Sequence, residues 1–117
     1  MSKPSMPAAV LIDGIKYAVR FGSPKPPEGV AVPADYTEDG EFDVREQLIL
    51  VRPDLAPNYQ AYIFIHEVCH GLYEHAGLTA VGRPPPTEEE FVTAFAWRLL
   101  EFIRTNPEAL AYLRGAA

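Results

Sequence analysis

His66, Glu67 and His70 stand in the order His-Glu-x-x-His within the run YIFIHEVCHGLYEH, Tyr62 to His75. If the run is helical, residues four apart lie one turn from each other on the same face. Two imidazoles so placed can aim their nitrogens at one Zn²⁺, roughly 2.0–2.1 Å from each. Glu67 projects about 100° around the axis, off the ion but within reach of a water beside it. Zinc lowers the pKa of such a water to about 7, and a neighbouring carboxylate can take its proton as general base. Attack on a polarised carbonyl, with return of the proton to the leaving amine, is peptide-bond hydrolysis. The plain alternative is a solvated His/Glu face on an amphipathic helix.

Two histidines alone do not hold a catalytic metal, so a third ligand is needed. His75 lies on a continuing helix well away from the 66/70 face and reads as a surface residue. Glu74 shares that face but sits too far along the axis to reach an ion held by His66. The acidic triplet in TEEE, Thr87 to Glu90, remains. Thr87 and Glu90 suit a capping box, and acidic residues favour a helix's first turn in any case. That leaves Glu88 and Glu89, and spacing alone does not separate them: each stands three or four and seven residues before apolar positions of the same helix. Cys69 reads as a small buried hydrophobe. Tyr59, Tyr62 and Tyr73 are candidates for donating a hydroxyl to a developing oxyanion, with packing the plainer role for each.

These side chains need elements to hold them. In VLIDGIKYAVRF, Val10 to Phe21, apolar residues Ile15, Tyr17, Val19 and Phe21 alternate with Lys16, Ala18 and Arg20, a half-buried strand. Asp13-Gly14 in front of it suits a tight hairpin turn. The proline-rich stretch Gly22 to Asp35 reads as a surface loop. GEFDVREQLILV, Gly40 to Val51, predicts a short strand, a turn near Val44-Arg45 and a second strand, whose segment Leu48 to Val51 is either an open edge for an extended peptide or a paired core strand.

A first helix should start at Pro57 and run to about Ala76, with Gly77 as left-handed cap and Ala61, Ile65, Val68, Leu72 and Ala76 facing the core. VGRPPP is a stiff connector. A second helix follows from Thr87 to about Arg104, with Val92, Phe95, Ala96, Leu99 and Ile103 inward and Trp97 and Phe102 as packing residues. Asn106-Pro107 supplies N-cap and first position for a short third helix closed by Gly115. Strands precede helices instead of alternating with them, so the class is α+β: an N-terminal antiparallel hairpin sheet, a central motif-bearing helix, a second ligand-bearing helix and a short C-terminal one.

GEFDVREQLILV, DLAPNYQAYIFIHEVCHGL and EEEFVTAFAWRLLEFIRTNPEALAYL together resemble the compact gluzincin-like zinc metallopeptidases, the ImmA/IrrE-type group and small phage-borne zincin-like proteins. The resemblance spans Gly40 to Leu113. It implies a zincin-like domain in which a Glu early in the second helix completes the zinc site, followed three positions on by a small apolar residue and seven on by Ala. Those positions are Glu89, Val92 and Ala96, so the resemblance selects Glu89. Thr93 stands where the group often has Asn. Gly71 corresponds to a small residue that lets another element cross the helix closely. The implied set is His66, His70 and Glu89 on Zn²⁺ with Glu67 as base, acting on a peptide or protein substrate. The other implied reading is a catalytically silent zinc-binding interaction module, a phage or prophage accessory protein.

At 117 residues, with 48% hydrophobic and 22% charged residues, the chain suits one globular domain over 9–117 behind a flexible arm at 1–8. Ten Lys and Arg against sixteen Asp and Glu leave a formal net charge of −6, which argues against a nucleic-acid footprint. One cysteine excludes an internal disulfide and suits a reducing compartment. No apolar run reaches membrane-spanning length, and the N-terminal segment lacks the pattern of a signal peptide. A cytoplasmic location without membrane contact is the expectation; oligomeric state is left open.

Overall fold

The computed structural model describes residues 5–24, 39–78 and 82–115. The expected loop over Gly22 to Asp35, the first half of the N-terminal arm and the start of the VGRPPP connector lie wholly or largely outside them. The elements are β1 (Ala9–Ile12), β2 (Ile15–Phe21), β3 (Gly40–Asp43), β4 (Leu48–Val51), α1 (Pro57–His75), α2 (Glu88–Thr105) and α3 (Pro107–Arg114). The fold is a small α+β domain with a mixed sheet of four strands and three helices.

Each hairpin turn follows its local chemistry. Asp13 and Gly14 take positive φ of 55° and 78°, the mirror-image turn that suits the twist of paired strands. Between β3 and β4 the Asp43 carboxylate accepts from the amides of Arg45 and Glu46 at 2.9 and 3.1 Å, and Gln47 takes φ 51° to re-enter the sheet.

Pairing between the hairpins departs from expectation. The sheet order is β1-β2-β4-β3, and β2 runs parallel to β4 with Val19 opposite Ile49. The sheet is therefore mixed and not wholly antiparallel: Phe21, Gly40 and Val51 share one end, so β3 runs back along the sheet and β4, after its hairpin turn, runs in the direction of β2. Leu48–Val51 is consequently an inner strand; the edges are β1 and β3. Val10, Ile12, Tyr17, Val19, Ile49 and Val51 form one buried face of the sheet, while Lys16 and Arg20 on the other face are exposed.

All three helices contribute to the core on that buried face. Phe64, Val68 and Leu72 of α1 are fully buried, joined by Phe102 of α2 and Ala109 of α3. The buried arc of α1 is Ile63, Phe64, Glu67, Val68, Gly71 and Leu72. It is turned from the expected stripe, so that Ala61, Ile65 and Ala76 are only half-buried. Met6 packs on the core and Pro7 is buried, so the chain is engaged before β1 begins.

Helix ends follow the sequence closely. Pro57 opens α1, and Gly77 beyond its end takes φ 77°. Thr87 and Glu90 form the reciprocal capping box of α2, each side chain bonding the other's backbone amide at 3.1 Å. The amide of Thr87 holds the Glu90 carboxyl below its ordinary pKa. Because the folded-state pKa is the lower one, this support is present above the ordinary carboxyl range and is lost as pH falls through the folded value.

Asn106 is a correction. Its side chain makes no N-cap hydrogen bond to α3. The side-chain Oδ1 instead accepts from the Leu11 amide at 2.7 Å, and Nδ2 donates to the Leu11 carbonyl at 2.8 Å and the Phe102 carbonyl at 3.0 Å. Leu11 faces its backbone groups away from β2, so a side-chain amide pairs with the free edge of β1 as a strand residue would. No helix among the described residues is long and apolar enough to cross a membrane.

Candidate functional site

His66 and His70 lie on the exposed side of α1, and their Nε2 atoms stand 3.2 Å apart. Two ligands of one tetrahedral zinc, each about 2.0–2.1 Å from it, are separated by roughly 3.3 Å. The pair is thus set at the spacing of two corners of such a site. The same spacing lets one ring's N–H donate to the other ring's bare nitrogen. Tyr62 packs its ring 5.8 Å from that of His66, on the N-terminal side of the pair.

Glu67 turns the opposite way from Cys69, toward the sheet, and is 6% exposed. Gly40, the first residue of β3, makes room for it. A Cβ at Gly40 would lie 2.9 Å from Glu67 Oε2, 3.0 Å from its Cγ and 2.7 Å from Ile63 Cγ2. The motif carboxylate therefore rests against strand backbone, a position any side chain at 40 would contest. One turn on, Gly71 serves the same purpose for packing: a Cβ there would meet Ile12 Cδ1 at 2.7 Å and Phe42 Cε2 at 2.8 Å. The close crossing expected at Gly71 is present.

The other flank of the imidazole pair faces α2. A cleft of about 460 Å³ is lined by His66, Cys69, His70, Tyr73, Phe91 and Phe95. Phe91 and Phe95 stack with centroids 5.3 Å apart, and Phe91 meets Tyr73 at 6.0 Å. Burial raises the Cys69 thiol pKa, which keeps it protonated at neutral pH and fits the reading of a small hydrophobe.

Among the described residues no group of three or more His, Cys, Asp and Glu side chains is placed to hold a metal ion. Glu89 accepts from the Thr93 hydroxyl at 3.4 Å and is exposed, as are Val92 and Ala96 further along its side of the helix. The expected inward face of α2 is thereby corrected. Phe95 and Leu99 pack on the core and Phe102 is buried, but Val92, Ala96 and Ile103 are not inward, and Trp97 is 69% exposed. At 100° per residue, Glu88 falls about 40° from the Phe91–Phe95 direction and Glu89 about 140° from it. The helix phase thus turns Glu88 toward the cleft side and Glu89 away from it.

His75 is not the surface residue expected. Its Nε2 lies 2.6 Å from the Tyr17 hydroxyl and its Nδ1 3.7 Å from Asp13 Oδ2, with the side chain only 10% exposed. Burial, and next the nearby Glu74 charge, raise the Tyr17 pKa. The phenol stays protonated and can donate to Nε2, a tautomer that turns the Nδ1 proton toward Asp13. This links the end of α1 to the first hairpin and leaves His75 apart from the 66/70 pair. Of the tyrosines, Tyr59 donates to Asp39 at 2.8 Å, whereas Tyr62 and Tyr73 flank the imidazoles.

Sequence reasoning missed Gly40 and the aromatic wall. Gly40 reads as the first residue of a short strand, and nothing local says that it seats a carboxylate from a helix. Phe91 and Phe95 do carry a signal, an aromatic pair at i, i+4 that begins directly after the acidic triplet. Compared with protein-family models, curated proteins and solved structures, the chain gives no match.

Proposed function

We propose that the protein is a zinc-dependent peptidase. The observation that carries this reading is the 3.2 Å approach of His66 Nε2 to His70 Nε2 with Glu67 seated beside them against Gly40. Zn²⁺ would be held by His66, His70 and a carboxylate from the first turn of α2, Glu89 by the resemblance and Glu88 by the helix phase. When bound, the ion polarises a carbonyl and acidifies water.

The chain's own residues carry the rest. Glu67 takes a proton from the attacking water as its oxygen bonds to the carbonyl carbon. It returns that proton to the nitrogen as the carbon–nitrogen bond breaks, leaving a carboxylate and an amine. Burial against strand backbone fixes the carboxylate's position. That β3 is an edge strand of the sheet among the described residues supports an extended substrate. Asp39 accepts from the Arg52 amide at 3.0 Å, so by alternation Gly40 and Phe42 present their backbone groups away from β4. A peptide added along that edge would pass Glu67 and the imidazoles. Tyr62 or Tyr73, which flank the imidazoles, would donate a hydroxyl to the developing oxyanion.

One observation favours a second reading, a zinc-binding interaction module without turnover: the exposed position of Glu89. Metal analysis separates the possibilities. After purification without chelators, wild type is expected to carry one zinc per chain by mass spectrometry, and His66→Ala to carry almost none. Between Glu88→Gln and Glu89→Gln, the variant that loses zinc identifies the third ligand. Wild type without stoichiometric zinc would sink the proposal, and zinc without cleavage of any peptide would leave the module.

A further inference from the structure

We propose that the cleft between α1 and α2 selects a large apolar or aromatic side chain of the bound peptide, with Phe91 and Phe95 as the specificity-determining residues. This rests on the peptidase reading of the site and names its substrate class.

His66 and His70 stand between two flanks: Glu67 and β3 on one side, the cleft on the other. An extended peptide sends successive side chains to opposite sides. A peptide lying along β3, with a carbonyl over the imidazoles, therefore directs a neighbouring side chain away from Glu67 and into the cleft.

The chemistry of the wall then states what fits. At about 460 Å³ the cleft falls within the range of ligand-binding cavities. Beyond the imidazoles its lining is a thiol, a tyrosine and two stacked phenylalanines, and among the described residues no carboxylate, ammonium or guanidinium lines it. A charged or amide side chain would lose its water there without a partner, while a phenyl or isobutyl group would cover exposed aromatic surface. Phe91 is 37% exposed although it belongs to the wall, so contact area is still available on it.

The test reads binding apart from turnover. Blocked fluorescent hexapeptides, varied at one central position among Phe, Leu, Ala and Asp, are titrated by anisotropy against the zinc-treated full chain carrying Glu67→Gln. Phe and Leu peptides are expected to bind at least about ten-fold tighter than Ala and Asp peptides, the scale of apolar-pocket discrimination. Phe91→Ala should erase most of that preference. Cys69→Phe, which fills the cleft from the other wall, should do the same, with circular dichroism confirming that both variants are folded. Equal affinity for the four peptides, no binding, or a preference indifferent to both variants would overturn the proposal. A parallel cleavage assay with Glu67 intact keeps the two readings distinct. Cleavage without apolar preference overturns the cleft assignment and keeps the peptidase. Apolar preference without cleavage does the reverse.

Discussion

Glu67→Gln is expected to reduce kcat for peptide hydrolysis by about 10²–10⁴-fold, the usual contribution of a general acid–base group. In the proposed site zinc content should stay near wild type, because Glu67 turns toward the sheet and not to the exposed side of α1 that carries His66 and His70. Gln has nearly the shape of Glu, so it fits the space that Gly40 leaves, and the melting temperature should move by only a few degrees. Glu67→Ala would confuse the issue by opening a void beside Ile63 and Gly40. Gly40→Ala is the informative companion. Its new Cβ would occupy space now within 2.9 Å of Glu67 Oε2, so it should lower activity while every motif residue is intact. Steady-state kinetics on a zinc-loaded sample measure both. Full activity in Glu67→Gln would remove Glu67 from the proposed chemistry.

Asn106→Ala is expected to cost about 3 kcal/mol, the largest single-residue loss of stability we anticipate. Asn106 is 6% exposed and satisfies both backbone groups of Leu11 as well as the Phe102 carbonyl. Truncation leaves those groups partly buried and unpaired, and each such group costs roughly 1–3 kcal/mol less whatever water recovers. For a domain of this size the loss corresponds to a melting point lower by about 10–15 °C. Asn106→Asp makes the comparison sharper. It keeps the acceptor for the Leu11 amide but replaces a donor with an oxygen facing two carbonyls, so it should be at least as damaging. Thermal unfolding followed by circular dichroism checks both; a loss below 1 kcal/mol in each would show that the β1 edge does not depend on this bridge.

The sequence made helix boundaries readable because the signals there are local. Proline at the start of α1, glycine after it, and Thr87 with Glu90 each act within one turn, and each is where its chemistry requires. The phase of α2 was not readable. Phe91, Val92, Phe95, Ala96, Leu99 and Ile103 cover too wide an arc for periodicity to choose a centre, and packing on α1 and β1 made the choice. That same ambiguity governs Glu88 against Glu89. The histidine pair was legible because a four-residue step on a helix fixes their proximity. Strand order was not: whether β2 meets β4 in parallel depends on a return through distant chain. Asn106 shows a third kind of limit, since a good capping residue is also a good strand mimic, and only the nearness of Leu11 decides between them.

Two local hairpins meeting along a single parallel seam also set an order of events for folding. β1–β2 and β3–β4 each close through a short turn, while Val19 meets Ile49 across a sequence separation of thirty residues. Nonlocal closure of this kind is the slow step in domains of mixed topology. Shortening Val19 or Ile49 to Ala should therefore slow refolding, whereas substitutions at the Asp13-Gly14 turn that destabilise equally should mainly speed unfolding. Stopped-flow measurements on matched variants read the difference, and equal slowing by both would place the hairpins in the barrier alongside the seam.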